Sequence, residues 1–430
     1  MRRALSVAVL ACAVGALGRP AWAAQLIPVT GYPAAGPVLA PGAPVAWAAR
    51  SGDGTQTIVL APAGRAPQPL LSLPPSGGDL TWSVDALAVT PTAVGYAASL
   101  FDGVAARNVG DGNVGSAAAT VTLDGTQNTL DTCTAAPGSG LAGAGIAVSP
   151  SATVVRSCAT AGSGPATISV NGVGLATAGG PVGAAGELAA WQNGGAVTVY
   201  DVAAARVVGT VPVAGAWALA EDGTVMSVAP AGNGAAVVAT PLQGAPVALA
   251  TEARPITSLA TAGGAVAYTT GTDVVVVRGG ARTVVGTIRW FASPTTVSTD
   301  GERVAWTTTS CSGWSIVVAS VGETGAGTPP CRIEVAPSGT LAAARATLSV
   351  AGPSPGTQAV LLTGRFRLRA GDRLLAKGTA QFAGAQPVSL PLTRAGRRVA
   401  TQGRAVRGRV WVTVPGYPVV RTPVVLRPPH

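Results

Sequence analysis

The chain has 430 residues, 11% of them charged and 48% hydrophobic, with a formal net charge of +10. That length exceeds one ordinary domain, and the apolar content can bury a sizeable core, which excludes a wholly disordered chain. The one histidine is the last residue, His430, and the one lysine is Lys377. Ser-His-Asp triads, Cys-His pairs and histidine-built metal sites are excluded on that count, and no cofactor or metal is expected.

Residues 1–23 have the layout of a secretory signal peptide. Arg2-Arg3 precede an apolar run from Ala4 to Leu17, Arg19-Pro20 break it, and Ala21-Trp22-Ala23 supplies a small-residue cleavage site. The run is too short to cross a bilayer, and no later run reaches the ~18 apolar residues a spanning helix needs. The mature chain is therefore expected outside the cytoplasm, secreted or envelope-associated, with no transmembrane span. Removal of Cys12 leaves Cys133, Cys158, Cys311 and Cys331. An even number in an exported chain reads as two disulfides, and proximity favours Cys133–Cys158 and Cys311–Cys331 among the three possible pairings.

From residue 38 onward a phrase recurs: a small turn, then valine, a small residue and an aromatic or apolar residue. Counted from Trp47 through Tyr96, Val155, Trp191, Ser227 and Tyr268 to Trp306, the spacings are 49, 59, 36, 36, 41 and 38. Seven copies at about forty residues is the period of a β-propeller. Residues 256–288 show four β-branched runs separated by Gly-rich turns, the content of one four-stranded antiparallel blade. No window shows a helical period with caps. The residues from 24 to 37 are expected to supply a strand that closes the last blade. Cys158 and Cys311 follow the repeated strand by similar offsets, which places them in different blades and argues against their pairing.

Val297-Ser298-Thr299-Asp300-Gly301-Glu302-Arg303-Val304-Ala305-Trp306 resembles the S-P-D-G-x-x-[IV]-A-[FW] phrase of TolB-like (PD40, WD40-like) propeller repeats. Asp222-Gly223 precedes Val225 at nearly the same place, whereas the other five copies lack the Asp-Gly pair. The resemblance implies a propeller and a habit of binding other macromolecules, without implying a reaction.

A second domain is expected over 339–430, after the propeller of 24–338. Pro337-Ser338-Gly339 and Ala351–Gly356 punctuate the junction. Gly364–Gly371 alternates basic and apolar residues at period two, as a half-buried strand does, and Val388–Leu392 and Arg409–Val414 read as further strands. Some eighty residues of this kind suit a small β-sandwich. Phe382–Arg398 resembles the Ig-like tail modules of exported actinobacterial proteins. The fold class expected is thus all-β, a seven-bladed propeller followed by a small Ig-like β-sandwich.

Charge divides along the same line. From residue 339 there are 14 Lys and Arg against one acid, Asp372, while 24–338 carries 11 Arg against 17 acids. In Arg365-Phe366-Arg367-Leu368-Arg369 the three arginines share one face. With Arg397 and Arg398 they are the candidate contact for a polyanion. Coulomb attraction would dock the tail on its own acidic propeller or hold an anionic envelope polymer or lipid. Arginine makes up 27 of the 28 basic residues, which compositional bias alone could produce. Nucleic acid is not expected, because the basic run lacks stacked aromatics.

Other motifs fail in context. Gly352-Pro353-Ser354-Pro355-Gly356 fits G-x-S-x-G but lies in a linker with no usable histidine. Gly138–Gly143 fits G-x-G-x-x-G, yet Ile146-Ala147-Val148 after it reads as a strand. The tryptophans at the repeat position read as blade packing, and residues 101–116 as a mobile insertion in the second copy. No catalytic residue is assigned. The function expected is a non-enzymatic binding or scaffolding module whose partner is an envelope protein or an anionic polymer. The alternative is a carbohydrate-active hydrolase using carboxylates in the propeller funnel, which would need two of them about 5–9 Å apart.

Overall fold

The computed structural model describes residues 24–160, 165–288, 296–310, 313–324, 333–352, 362–382, 384–415, 417 and 419–428. The signal-like segment 1–23, Cys311, Cys331 and residues 353–356 of the expected linker lie outside them.

Strand pairing groups the first part of the chain into seven four-stranded antiparallel sheets, the blades of a propeller. Blades 1 to 6 span residues 32–73, 80–134, 145–177, 182–212, 217–252 and 256–287, and blade 7 holds 297–320. Blade 6 shows how the sequence builds one. Its strands Ile256–Ala262, Ala265–Thr270, Asp273–Arg278 and Ala281–Thr287 are rich in valine and threonine, which suit a pleated, half-buried surface. Gly263, Gly264, Gly279 and Gly280 take the positive φ that two-residue turns require.

The seventh blade takes its fourth strand from the start of the described chain. Gln25–Val29 pairs antiparallel with Gly313–Ser320, from Gln25 opposite Val318 to Val29 opposite Trp314. Closure of this kind joins the first blade to the last and removes the free edges of an open array. The neighbouring strand Tyr32–Val38 is the innermost strand of blade 1.

All seven positions of the repeated phrase fall on the second strand of their blades. Trp47, Tyr96, Val155, Trp191, Ser227, Tyr268 and Trp306 are all buried. They pack blade against blade, as the period requires. In four blades the turn before that strand is held by a side chain of the turn. Asp300 Oδ1 accepts from the Glu302 and Arg303 amides, Asp222 Oδ1 from Thr224, Ser149 Oγ from Ala152 and Thr90 Oγ1 from Ala93.

Two expectations need correction here. The insertion of 101–116 contains a helix, α1 (Gly103–Val109), capped by Asp102 Oδ1 at Val104 and Ala105 and ended by Gly110 in the left-handed region. Seven residues are too few to show a period, so only the caps were available as a signal. The boundary expected at 338/339 falls inside the strand Glu334–Leu341, which belongs to the second unit, where Val335 is part of the core. The junction therefore lies between Ser320 and Glu334.

That second unit is one seven-stranded sheet. Its order is Arg373–Phe382, Leu362–Ala370, Val406–Thr413, Val420–Arg427, Glu334–Leu341, Arg345–Ala351 and Ala385–Pro391. Glu334–Leu341 runs antiparallel to Arg345–Ala351 and parallel to Val420–Arg427, and an isolated bridge between Ala376 and Leu392 brings the two ends of the order together. Leu348, Phe366, Leu368, Phe382, Leu390, Val410 and Val412 fill the interior. Helix α2 (Arg394–Ala400) starts at Thr393, whose Oγ1 accepts from the Gly396 amide. Gly396 is required there, since a Cβ would stand 2.1 Å from the Leu375 carbonyl oxygen.

Candidate anion-binding face

The strand Leu362–Ala370 alternates strictly, with Phe366 and Leu368 buried and Arg365, Arg367 and Arg369 exposed. Burial of the two apolar residues fixes the register, because a slip by one residue would turn the arginines into the core. The strands on either side then set what lies beside each arginine. Arg367 stands opposite Lys377 on one side and Trp411 on the other, and Trp411 stands opposite Arg421. One step along, Arg369 lies between Leu374 and Arg409. One step the other way, Arg365 lies between Thr379 and Thr413.

Residues directly opposite in antiparallel strands share a face, so these rows form one surface. Its middle is concave, a groove of about 670 Å³ lined by Arg365, Arg367, Arg369, Lys377, Thr379, Trp411 and Thr413 among others. Trp411 is half-buried, and the cations around it are exposed. Among the described residues, no carboxylate pairs with any of these cations and no ion pair joins this unit to the propeller; Arg107–Asp79, Arg282–Glu252 and Arg303–Asp300 all lie within blades or between them. Like charges directly opposite one another, as at Arg367/Lys377 and Arg369/Arg409, cost stability, of order 0.2–1 kcal/mol each. The face carries that cost with no internal counter-charge.

The structure thus brings Arg365, Arg367 and Arg369 together and leaves Arg397 and Arg398 outside the groove, exposed on α2. It adds Lys377 and Trp411, which sequence reasoning missed. The signal was present in the period-two spacing of Lys377 with Thr379 and of Arg409 with Trp411 and Thr413. Only the strand order makes them neighbours of the Arg365–Arg369 strand.

The inner strands of the blades enclose a channel. A cavity of about 330 Å³ there is lined mainly by Val, Leu, Ala, Gly, Pro, Ser and Thr of all seven blades, with Glu221 its one carboxylate. A second cavity of about 430 Å³ is lined by Tyr32, Trp314 and Asp85 among others. Tyr32 and Trp314 meet edge to face at 5.0 Å. The surrounding walls strip part of the hydration from Asp85 and push its carboxyl above the ordinary value, against a hydrogen bond donated by Ser99 Oγ. Among the described residues, each of these two cavities is lined by a single carboxylate. Trp217 keeps its ring at the channel through an Nε1 hydrogen bond to Gln192 Oε1 of 2.9 Å. Trp290 lies outside the described residues.

Cys133, on the outermost strand of blade 2, is bonded to Cys158, just past the second strand of blade 3, with Cα atoms 6.4 Å apart. The pairing is the one proximity favoured. The Cys158 amide donates to Asp131 Oδ2 at 3.0 Å. Gly138–Gly143 is followed by the strand Gly145–Val148, as expected of a loop and not of a dinucleotide cradle. Among the described residues, no group of three or more His, Cys, Asp or Glu could hold a metal ion, and no helix is long and apolar enough to cross a membrane.

No family model and no curated protein matches the chain. Among solved structures, the chain is similar to BamB from Moraxella catarrhalis, at 12% identity and a TM-score of 0.38, over 71% of this chain and 99% of that one. It is similar to Hsv2 from Kluyvelomyces marxianus at 13% identity and 0.36, over 69% and 94%. A chain of a mitotic checkpoint complex matches at 11% and 0.37, over 74% and 99%. At scores this low the blade count rests on strand pairing. Four strands per blade and seven blades make this a seven-bladed β-propeller.

Proposed function

We propose that the protein is a non-enzymatic propeller that binds or scaffolds at the cell envelope, and that the basic face of its second unit holds an anionic polymer. The observation that carries the reading is the set of cation rows across four strands, Lys377–Arg367–Trp411–Arg421 and Arg369–Arg409, with no carboxylate among them. Nothing in the packing of the unit calls for such rows, since the core lies on the other face. An anion on this surface would relieve the repulsion that the fold tolerates.

The channel lining supports binding in preference to hydrolysis. Glycoside hydrolysis needs two carboxylates across one site, and the two channel cavities hold Glu221 and Asp85 singly. The TolB-like assignment of the propeller rests on the Val297–Trp306 phrase. The Ig-like assignment of the second unit is supported by its first strand, which pairs antiparallel with the next strand and parallel with the last. Export is supported by the signal-like segment and by the bond between Cys133 and Cys158.

The test is retention of the full mature chain on an anionic matrix. Retention at low ionic strength that added salt abolishes, and that Arg365→Gln/Arg367→Gln/Arg369→Gln removes, is the expected result. No retention at low salt, or retention indifferent to salt, refutes the reading.

A further inference from the structure

The groove holds an aromatic ring at the centre of its cations, and this narrows the ligand class. We infer that the anionic polymer is an acidic glycan, with a sugar ring lying on Trp411 and its carboxylate or phosphate groups held by Arg367, Lys377 and Arg421. The inference rests on the reading of the face as an anion-binding surface and deepens it.

Three observations lead to the sugar. First, Trp411 is half-buried on the outer face, between Arg367 and Arg421, in the same cross-strand row. The indole adds a flat apolar surface to the charges around it. A sugar has an apolar C–H face that packs on an aromatic ring and a polar rim for hydrogen bonding. Second, Thr379 and Thr413 flank Arg365 in the next row and are exposed, so hydroxyls stand beside the cations. They can donate to and accept from ring hydroxyls, which a plain polyanion lacks. Third, the spacing is periodic. Alternate residues on a strand lie about 6.6–6.8 Å apart and neighbouring strands about 4.8 Å apart. Arg365, Arg367 and Arg369 therefore present anion sites at regular steps along about 13 Å, which suits a polymer with a charge on each repeat. Guanidinium groups take carboxylate and phosphate alike through paired N–H donors.

The other polyanions fit less well. A lipid surface is flat, whereas the groove is concave, and among the described residues it offers no exposed large apolar side chain to insert, Val419 being the one such described residue of this unit and lying beyond the groove. Single-stranded nucleic acid is held by aromatics on which successive bases stack, and the groove has one tryptophan.

The test uses the full mature chain and six probes: polygalacturonate, a sugar polymer bearing phosphate groups, polyglutamate as an anion without sugar, dextran as a sugar without charge, and an oligonucleotide and phosphatidylglycerol vesicles as the competing polyanions. Binding is measured by titration calorimetry at low and at physiological salt. The acidic glycans should bind more tightly than polyglutamate, and dextran should not bind detectably. Trp411→Ala should weaken glycan binding by about tenfold, the scale of one aromatic stack, and leave polyglutamate binding unchanged. Trp411→Phe should recover most of the loss, which guards against a folding defect. The comparison of carboxylated and phosphorylated glycans assigns the anion. Equal affinity for polyglutamate and glycan, or a Trp411→Ala variant that binds glycan as the parent does, overturns the inference and leaves a generic anion-binding face standing. Tighter binding of oligonucleotide or of phosphatidylglycerol vesicles also overturns it. Failure of every anion to bind removes both the inference and the reading beneath it.

Discussion

Two Asp-Gly turns, at Asp222 and Asp300, occupy equivalent places in blades 5 and 7, yet the structure gives them different work. Asp222 is exposed and accepts one backbone hydrogen bond, from Thr224 at 2.9 Å. Asp300 is buried and accepts from the Glu302 and Arg303 amides at 3.0 and 2.6 Å. It also pairs with the Arg303 guanidinium at 2.7 Å, with the two side chains 6% and 24% exposed. Arg303 in turn reaches the Ala43 carbonyl in the loop of blade 1, at 3.2 Å. The turn thus ties blade 7 to blade 1, beside the point of closure. Replacing Asp300 by Ala would orphan two amides and a largely buried guanidinium. Removing one partner of a fully buried pair costs about 3–5 kcal/mol. Arg303 is partly solvated and keeps the Ala43 carbonyl, so the lower end applies, about 3 kcal/mol. Asp222→Ala loses one exposed hydrogen bond, about 1 kcal/mol or less. The difference of about 2 kcal/mol is a factor of roughly 30 in the folding equilibrium. Equilibrium urea unfolding followed by tryptophan fluorescence reads it directly. Equal midpoint shifts for the two variants would refute the reasoning, since they would mean that the closure contact adds nothing to a common turn.

Further outcomes follow from the blade contacts. The disulfide between Cys133 and Cys158 closes a loop of 25 residues, so Cys133→Ser/Cys158→Ser should cost about 3.5 kcal/mol in the same unfolding assay. Non-reducing peptide mapping should recover that pair, and a Cys158–Cys311 peptide would contradict the assigned connectivity. Glu252 of blade 5 accepts from Tyr268 Oη at 2.6 Å and from Arg282 Nε at 2.8 Å, both in blade 6. Partial burial pushes its carboxyl up, but the Arg282 and Tyr268 hydrogen bonds and the Arg282 charge outweigh it and hold the group below the ordinary 4.5. A depressed carboxylate contributes stability that is present above the unfolded value and lost as pH falls through the folded one. Glu252→Gln should therefore lower the thermal midpoint at pH 7, with a difference from the parent that starts to shrink as pH falls below 4.5 and vanishes below the lower folded value; a difference undiminished at the lowest pH would contradict the assignment.

Much of the propeller was legible because one buried position per blade repeats. Trp47, Trp191 and Trp306 mark it with large side chains, and valine-rich strands between paired glycines show the blade around Tyr268. The second blade was harder to read. Its strands are up to ten residues long, and α1 interrupts it with a helix shorter than any readable period. The candidate face was half legible. Alternation in Arg365–Arg369 is local, and it fixed the orientation of that strand. Arg397 and Arg398 were grouped with it by their charge, but Thr393 starts a helix that carries them elsewhere. Lys377 and Trp411 come from different strands, and only the order that sets Leu362–Ala370 between Arg373–Phe382 and Val406–Thr413 makes them neighbours. The boundary was misplaced because Pro337-Ser338-Gly339 reads as punctuation, whereas it forms an irregularity within a strand, where the register shifts between Val335 and Gly339.

Lys377 offers the most direct test of the central claim, that the groove around Arg367 and Trp411 is where the protein holds anions. It is the one lysine of the chain, so an amine-reactive acylating reagent labels only Lys377 and the chain's N-terminal amine. Lys377 is exposed and lines the groove. The measurement is the rate of acylation at Lys377, followed by mass spectrometry, with and without a saturating polyanion, using the N-terminal amine as the internal reference. The account predicts that the polyanion slows labelling of Lys377 relative to the N-terminus and that added salt restores the rate. A Lys377 labelled at an unchanged rate while the polyanion is demonstrably bound would contradict it.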